Sequence, residues 1–203
     1  MSDPAPTAPG SGPPLLAAEA ALEIGRDSGV PRQLAELNFF RLLLRRPRTA
    51  KAMSDLLVSL LAGEALGHRH RELAIMRIGW VTASAYEWTQ HWRIAGQFGV
   101  PETDLLGVRD WPGHAGFDAA DRAVLRAVDE AMGGAGISTA TWAECDERLG
   151  TDAAIELVVA IGAWLMASIY LRATGVPLEE GVDAWPPTGS GPPDAGRKRP
   201  GRG

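Results

Sequence analysis

Cysteine is almost missing from this chain. Cys145 stands alone among 203 residues, so no disulfide can close within the chain, which fits a reducing, cytoplasmic setting. Membrane-length apolar runs are missing too. The longest uncharged stretch, LVVAIGAWLMASIYL at 157–171, falls short of the roughly 20 residues a bilayer crossing needs and reads as a buried helix, so no membrane partner is expected. No basic region followed by an apolar run opens the chain, so no signal peptide is expected. Basic residues are outnumbered, 20 Lys and Arg against 25 Asp and Glu. Four of them (Arg197, Lys198, Arg199 and Arg202) sit at the C-terminal end, so the rest is more acidic than the net charge of −5 suggests. That balance argues against a nucleic-acid-binding body, and the basic end reads as a solubilising tail. Alternating strand patterns and internal repeats are absent.

What is present is helical periodicity between two low-complexity ends. Residues 1–14 and 186–203 are rich in Pro, Gly and small polar residues. They offer too little apolar surface to offset the entropy of ordering, and are expected to be disordered tails. Residues 15–185 are then one domain, large enough for a real core. Amphipathic spacing and Pro/Gly punctuation predict helices over 30–46, 47–67, 71–83, 85–99, 101–110, 117–134, 138–150 and 151–175. Asp118 or a neighbour, and Ser138 or Thr139, are the expected caps. The class is all-α, a single helical bundle. Ala160, Ala163, Ala167 and Ser168 form a small-residue stripe on the last helix, suited to a close internal contact or a subunit interface.

Chemistry concentrates in TASAYEWTQH, residues 82–91. Ser84 and Glu87 match a Ser-x-x-Glu capping box, with Glu87 favoured by the helix dipole. His91, four residues on, shares its face. A capped surface helix accounts for Ser84 and Glu87 without chemistry. It accounts less well for Tyr86, Trp88, Trp92 and Trp80, which surround the helix entrance and point to burial. A buried carboxylate and imidazole together are how proteins poise a proton-transferring group near neutral pH.

Arg71-Glu72-Leu73-Ala74-Ile75 followed by Tyr86-Glu87-Trp88-x-x-His91 resembles the carboxymuconolactone decarboxylase family, the fold family of the alkyl hydroperoxidase D peroxidases. The resemblance runs over about 32–178, through FDAADRAVLRAVDE and ELVVAIGAWLMASIYL. The peroxidase branch carries a glutamate, a C-x-x-C pair and a histidine. Those places fall here on Glu72, Ser84, Glu87 and His91, so both cysteines are replaced and dithiol peroxidase activity is expected to be absent. The resemblance implies that Glu72, Glu87 and His91 face one cavity as catalytic groups, without a metal or organic cofactor. His91 would donate or accept the proton, with Glu72 and Glu87 setting its charge. Tyr86 and Ser84 would contact a small-molecule substrate, and Trp88 and Trp80 would be apolar walls that exclude water. If that substrate carries several carboxylates, Arg71, Arg77 and Arg93 are candidates to hold them, although seven tryptophans suit a more apolar ligand. A homotrimer or homohexamer is implied as well.

The expected activity is decarboxylation, or a related proton transfer, on a small organic acid or lactone. The alternatives are a helical ligand-binding or assembly protein without chemistry and, behind it, a peroxidase. Other features read as structural. His68 and His70 with Glu72 make a weak metal motif, since residues two apart on a helix point to different faces. His114 is a loop histidine. Cys145 lies between Glu144 and Asp146, whose charges raise a thiol pKa and make it inert. Trp164 and Tyr170 read as core.

Overall fold

The structure, a computed structural model, describes residues 12–63 and 65–184. Most of the two tails, 1–14 and 186–203, therefore lies outside the described residues. Every regular element among those described is helical: α1 (Ala18–Ser28), α2 (Arg32–Ala35), α3 (Asn38–Leu43), α4 (Pro47–Leu61), α5 (His68–Val81), α6 (Ala85–Gln97), α7 (Glu102–Gly107), a 3-10 segment (Val108–Gly113), α8 (Ala119–Met132), α9 (Thr139–Leu149) and α10 (Thr151–Thr174). Pro47 opens α4 at its first helical position, where its missing N–H costs nothing. Asp118 caps α8 in a reciprocal box with Asp121, and the Ser138 hydroxyl accepts from Thr141 N–H at the start of α9. Both caps fall where the sequence places them.

Two expectations for the N-terminal part are corrected. The stretch 18–28 is a helix whose buried face is Ala21 and Gly25, residues too small to register as apolar periodicity. The single helix expected over 30–46 is broken between α2 and α3, with Leu37 extended at ψ 139°. The cause is distant in sequence. Asn38 N–H donates to Glu179 Oε1 at 3.0 Å, and the Asn38 amide donates to the carbonyls of Pro177 and Leu178. The segment after α10 thus folds back and supplies the start of α3.

Helix α5 is the axis of the fold. Arg71 to Met76, Ile78 and Gly79 are all buried, and α5 packs against α6, α8 and α10. One face joins Val124, Val128, Leu157 and Ile161; the other joins Leu105, Val108, Trp88 and Leu125. A third cluster, around Phe39, Phe40, Met53 and Leu171, fills the space between α3, α4 and α10. Each large aliphatic or aromatic side chain buried this way contributes about 1.5–3 kcal/mol.

Gly79 sets how close α5 and α6 come: a Cβ there would lie 3.1 Å from the Trp88 backbone nitrogen. The turn between them is tight. Ser84 N–H bonds Gly79 O at 2.9 Å and Ala83 N–H bonds Trp80 O at 3.1 Å, a Schellman closure. Its left-handed position is held by Ala83, at φ 54°. Helix α10 is long and apolar enough to cross a membrane, with half of that apolar window buried inside the protein. The stripe of Ala160, Ala163, Ala167 and Ser168 is entirely buried, so it is an internal contact. The exposed apolar face of α10 is a different one: Ile155, Val158, Val159, Met166 and Ile169.

Candidate active site

The Gly79 contact brings one face of α6 against α5 and α10. Glu87 and His91, one helical turn apart, then point away from Trp88 and into the protein. Their neighbours form a buried chain of polar groups. Arg71 (1 % exposed) and Glu72 (0 %) pair through Nε and Oε1 at 3.2 Å. The other Glu72 oxygen lies 2.8 Å from His91 Nδ1, and His91 Nε2 lies 3.6 Å from Glu87 Oε2. Arg71 spends its remaining donors on the Leu61 and Leu60 carbonyls and on His68 Nδ1, so this buried cation is neutralised and fully bonded, as burial demands. The same histidine nitrogen that faces Glu87 accepts a hydrogen bond from Trp164 Nε1–H, 3.0 Å away, with the two rings edge to face.

The electrostatics follow from this dryness. Burial pushes the Glu87 carboxyl up to about 7; the nearby Glu72 charge adds to the rise and His91 opposes it. Burial works against a charged His91, but the charge and hydrogen bond of Glu72, helped by Glu87, outweigh it and hold its pKa above the usual value. Glu87 and His91 are therefore a coupled pair that keeps protons near neutral pH.

Glu87 and His91 line a cavity of about 190 Å³. Leu34, Leu37, Phe39, Leu57, Leu61 and Ile94 make much of its wall, and Tyr86, Gln90 and Trp164 complete its polar side. The volume is below the roughly 300–1,000 Å³ of drug-sized sites, so the space fits a small molecule. No arginine or lysine is in the described lining. Arg71 stands behind Glu72. Arg77 is committed to Asp129 and to the Val108 and Arg109 carbonyls, and Arg93 is exposed. None of the three can hold substrate carboxylates in this cavity. Tyr86 donates to Glu179 Oε1 at 2.5 Å. Burial, then the Glu179 hydrogen bond and charge, push its ionisation well above the usual phenol range. Gln90 also donates to Glu179.

The structure separates the seven residues singled out from the sequence. Tyr86, Glu87 and His91 reach the cavity, and Glu72 is one hydrogen bond behind it. Ser84, Trp88 and Trp80 do not line it. Trp88 lies one position round the helix from Glu87 and stacks between Trp80 and Trp92, with ring centroids 5.5 and 5.9 Å away. The capping box expected from Ser84 and Glu87 is not formed. Ser84 begins α6 without a side-chain cap bond, its Oγ is buried without a partner among the described residues, and Glu87 turns inward. Trp164, read as core, and Glu179 and Gln90, unnoticed in the sequence, belong to the site. Trp164 is 73 positions from His91, and no local spacing signals that contact.

The remaining polar clusters lie elsewhere. His68 stacks on Phe98, so His68, His70 and Glu72 do not converge. His70, Asp118 and Asp121 bring ligand atoms within 4.8 Å of one another, but both Asp121 oxygens are bonded by Arg69. His114 bonds Asp104 at 2.9 Å, away from the cavity. Cys145 is buried, its Sγ 3.6 Å from the Ala123 carbonyl. Burial, then Glu144, push its thiol up to about 11.

Comparison with known proteins agrees with this geometry. Residues 47–130 match the model of the Carboxymuconolactone decarboxylase family, a stretch that contains Glu72, Glu87 and His91. No curated protein matches the chain. Among solved structures, a cysteine-to-alanine variant of the debrominase Bmp8 in complex with 2,3,4-tribromopyrrole is similar in fold. The TM-score is 0.63 at 16 % identity, over 80 % of this chain and 85 % of that one. By motif, fold and family match, the chain belongs to the carboxymuconolactone decarboxylase family.

Proposed function

We propose that this protein is a cofactor-independent acid–base enzyme acting on a small, largely apolar organic acid, lactone or related ring that carries at most one carboxylate. The observation that supports it best is a proton-holding pair, Glu87 and His91, set in the wall of an apolar cavity without a cation in its described lining. Bound substrate in that space would meet Glu87 directly and be shielded from water by Leu34, Leu37 and Phe39. In a decarboxylation, the C–C bond to the carboxylate breaks, carbon dioxide leaves, and the electron pair passes into an enolate. Protonated Glu87 then delivers its proton to carbon, and the pair regains a proton from water as product departs. Glu72 keeps His91 oriented throughout. Water exclusion strengthens each of these interactions. The ligand of the debrominase, a tribromopyrrole, is a small ring of the size class this cavity suits.

The protein is proposed to work as a homotrimer or homohexamer in the cytoplasm. The exposed stripe from Ile155 to Ile169 on α10 is the surface such an assembly would cover, and sedimentation velocity tests it.

Deuterium incorporation from solvent, read by NMR over a panel of small lactones, mono-acids and ring compounds, tests the chemistry. Turnover is expected to fall by about 10²-fold or more in Glu87→Gln and His91→Ala and to survive in Cys145→Ala. Full activity in His91→Ala overturns the proposal. Binding without turnover, indifferent to Glu87→Gln, makes the protein a ligand carrier.

A further inference from the structure

Glu87 and His91 share the cavity wall, and either could hold the exchangeable proton. Trp164 decides between them. An indole N–H can only donate, and it lies 3.0 Å from His91 Nε2, so that nitrogen must offer its lone pair. On the other side of the ring, Glu72 Oε2 at 2.8 Å takes the Nδ1 proton; its carboxylate is already bonded by Arg71. One ring proton satisfies both bonds. A second, on Nε2, would break the Trp164 bond and set N–H against N–H in a site where neither donor can turn to water. The 3.6 Å from Nε2 to Glu87 is too long for a hydrogen bond to compete with it.

We propose that Trp164 is a positioning residue that fixes His91 as the Nδ1–H tautomer, so that the exchangeable proton of the pair resides on Glu87 and enters the substrate from there. This rests on the acid–base reading of the cavity and deepens it by naming the acid. The titratable and charged groups facing the pair are Glu72 and Arg71 from α5 and Tyr86 from α6. The surfaces contributed by α3, α4 and α10 are the uncharged Phe39, Phe40, Leu57, Leu61, Trp164 and Ala167. The pull of Glu72 and Glu87 toward a doubly protonated ring is real, and the indole N–H is the opposing group.

Long-range ¹H–¹⁵N spectra of His91, with ¹³C carboxyl shifts of Glu87, test the assignment in the full-length protein at pH 6 to 8. In the wild type, Nε2 is expected to be unprotonated and coupled to the Trp164 indole proton, with Glu87 in its acid form at the lower end of the range. In Trp164→Phe, the pH at which His91 takes a second proton is expected to rise by about one unit, and Glu87 is expected to shift toward carboxylate at a pH where the wild type is still acid. A doubly protonated His91 in the wild type at pH 7 overturns the inference whether or not the variant folds, and so does an unchanged His91 titration in Trp164→Phe. The wider reading fails separately: the tautomer can be as stated in a protein that turns nothing over. Conversely, turnover whose pH profile ignores Trp164→Phe leaves that reading standing and removes this one.

Discussion

Replacing Glu87 by glutamine should make the protein more stable above neutral pH and leave it almost unchanged at pH 5. The folded-state carboxyl is pushed from 4.5 to about 7 by burial, with Glu72 adding and His91 opposing. The folded state therefore holds this proton more tightly than the unfolded chain does. That contribution is full below about 4.5 and is lost as pH climbs through about 7. At 1.36 kcal/mol per pH unit the loss amounts to about 3 kcal/mol, and glutamine, which mimics the protonated carboxyl, does not suffer it. At pH 5 the two proteins should agree within about 1 kcal/mol. At pH 8 the variant should be ahead by about 3 kcal/mol, or roughly 6–12 °C in melting temperature for a domain of this size. His91 contributes in the same sense, since its folded-state value is also raised, but it is present in both proteins, so the comparison reads mainly Glu87. Urea titrations of both proteins at pH 5, 6, 7 and 8 measure the gap. A gap that stays constant across the series, or a wild type that gains on the variant as pH rises, would mean that Glu87 titrates as an exposed carboxylate and that the buried-pair reasoning is wrong.

Other consequences are equally direct. Glu72→Gln strands the buried Arg71 guanidinium and should cost about 3–5 kcal/mol by chemical denaturation. Adding Arg71→Met should recover most of that, and a double variant no more stable than the single would contradict the account. Ala83→Gly relieves a left-handed position and should stabilise by about 1 kcal/mol; a lowered urea midpoint would count against it. Cys145 should resist iodoacetamide at pH 8 in the native state and react readily once unfolded, because burial and Glu144 keep its thiol protonated. Rapid native labelling would refute that.

The sequence is most informative where structure depends on neighbours three or four positions apart. Pro47, Asp118 and Ser138 mark helix starts because a cap is a local bond. Glu87 and His91 share a face because four residues make a helical turn. It is least informative where a distant chain segment overrides the local pattern. Ser84-x-x-Glu87 satisfies every local requirement of a capping box, yet Glu87 turns inward toward His91. The break before Asn38 depends on Glu179, 141 positions away. Trp164 looks like core because indole burial and indole hydrogen bonding give the same apolar helix pattern. Only the approach of α10 to α6 tells the two apart.

Two parts of the chain divide the labour at the cavity. The groups that hold protons, Glu72, Glu87 and His91, all stand on the α5–α6 pair, rigidly spaced by the Gly79 contact. Much of the apolar wall that faces them, Leu34, Leu37, Phe39 and Phe40, comes from 34–40, outside the family-matched 47–130. Shape and reactivity are thus encoded on separable stretches. Recombining or randomising 34–40 would vary which small molecules fit while the acid–base set keeps its geometry, so this short segment is the natural place to retarget the protein.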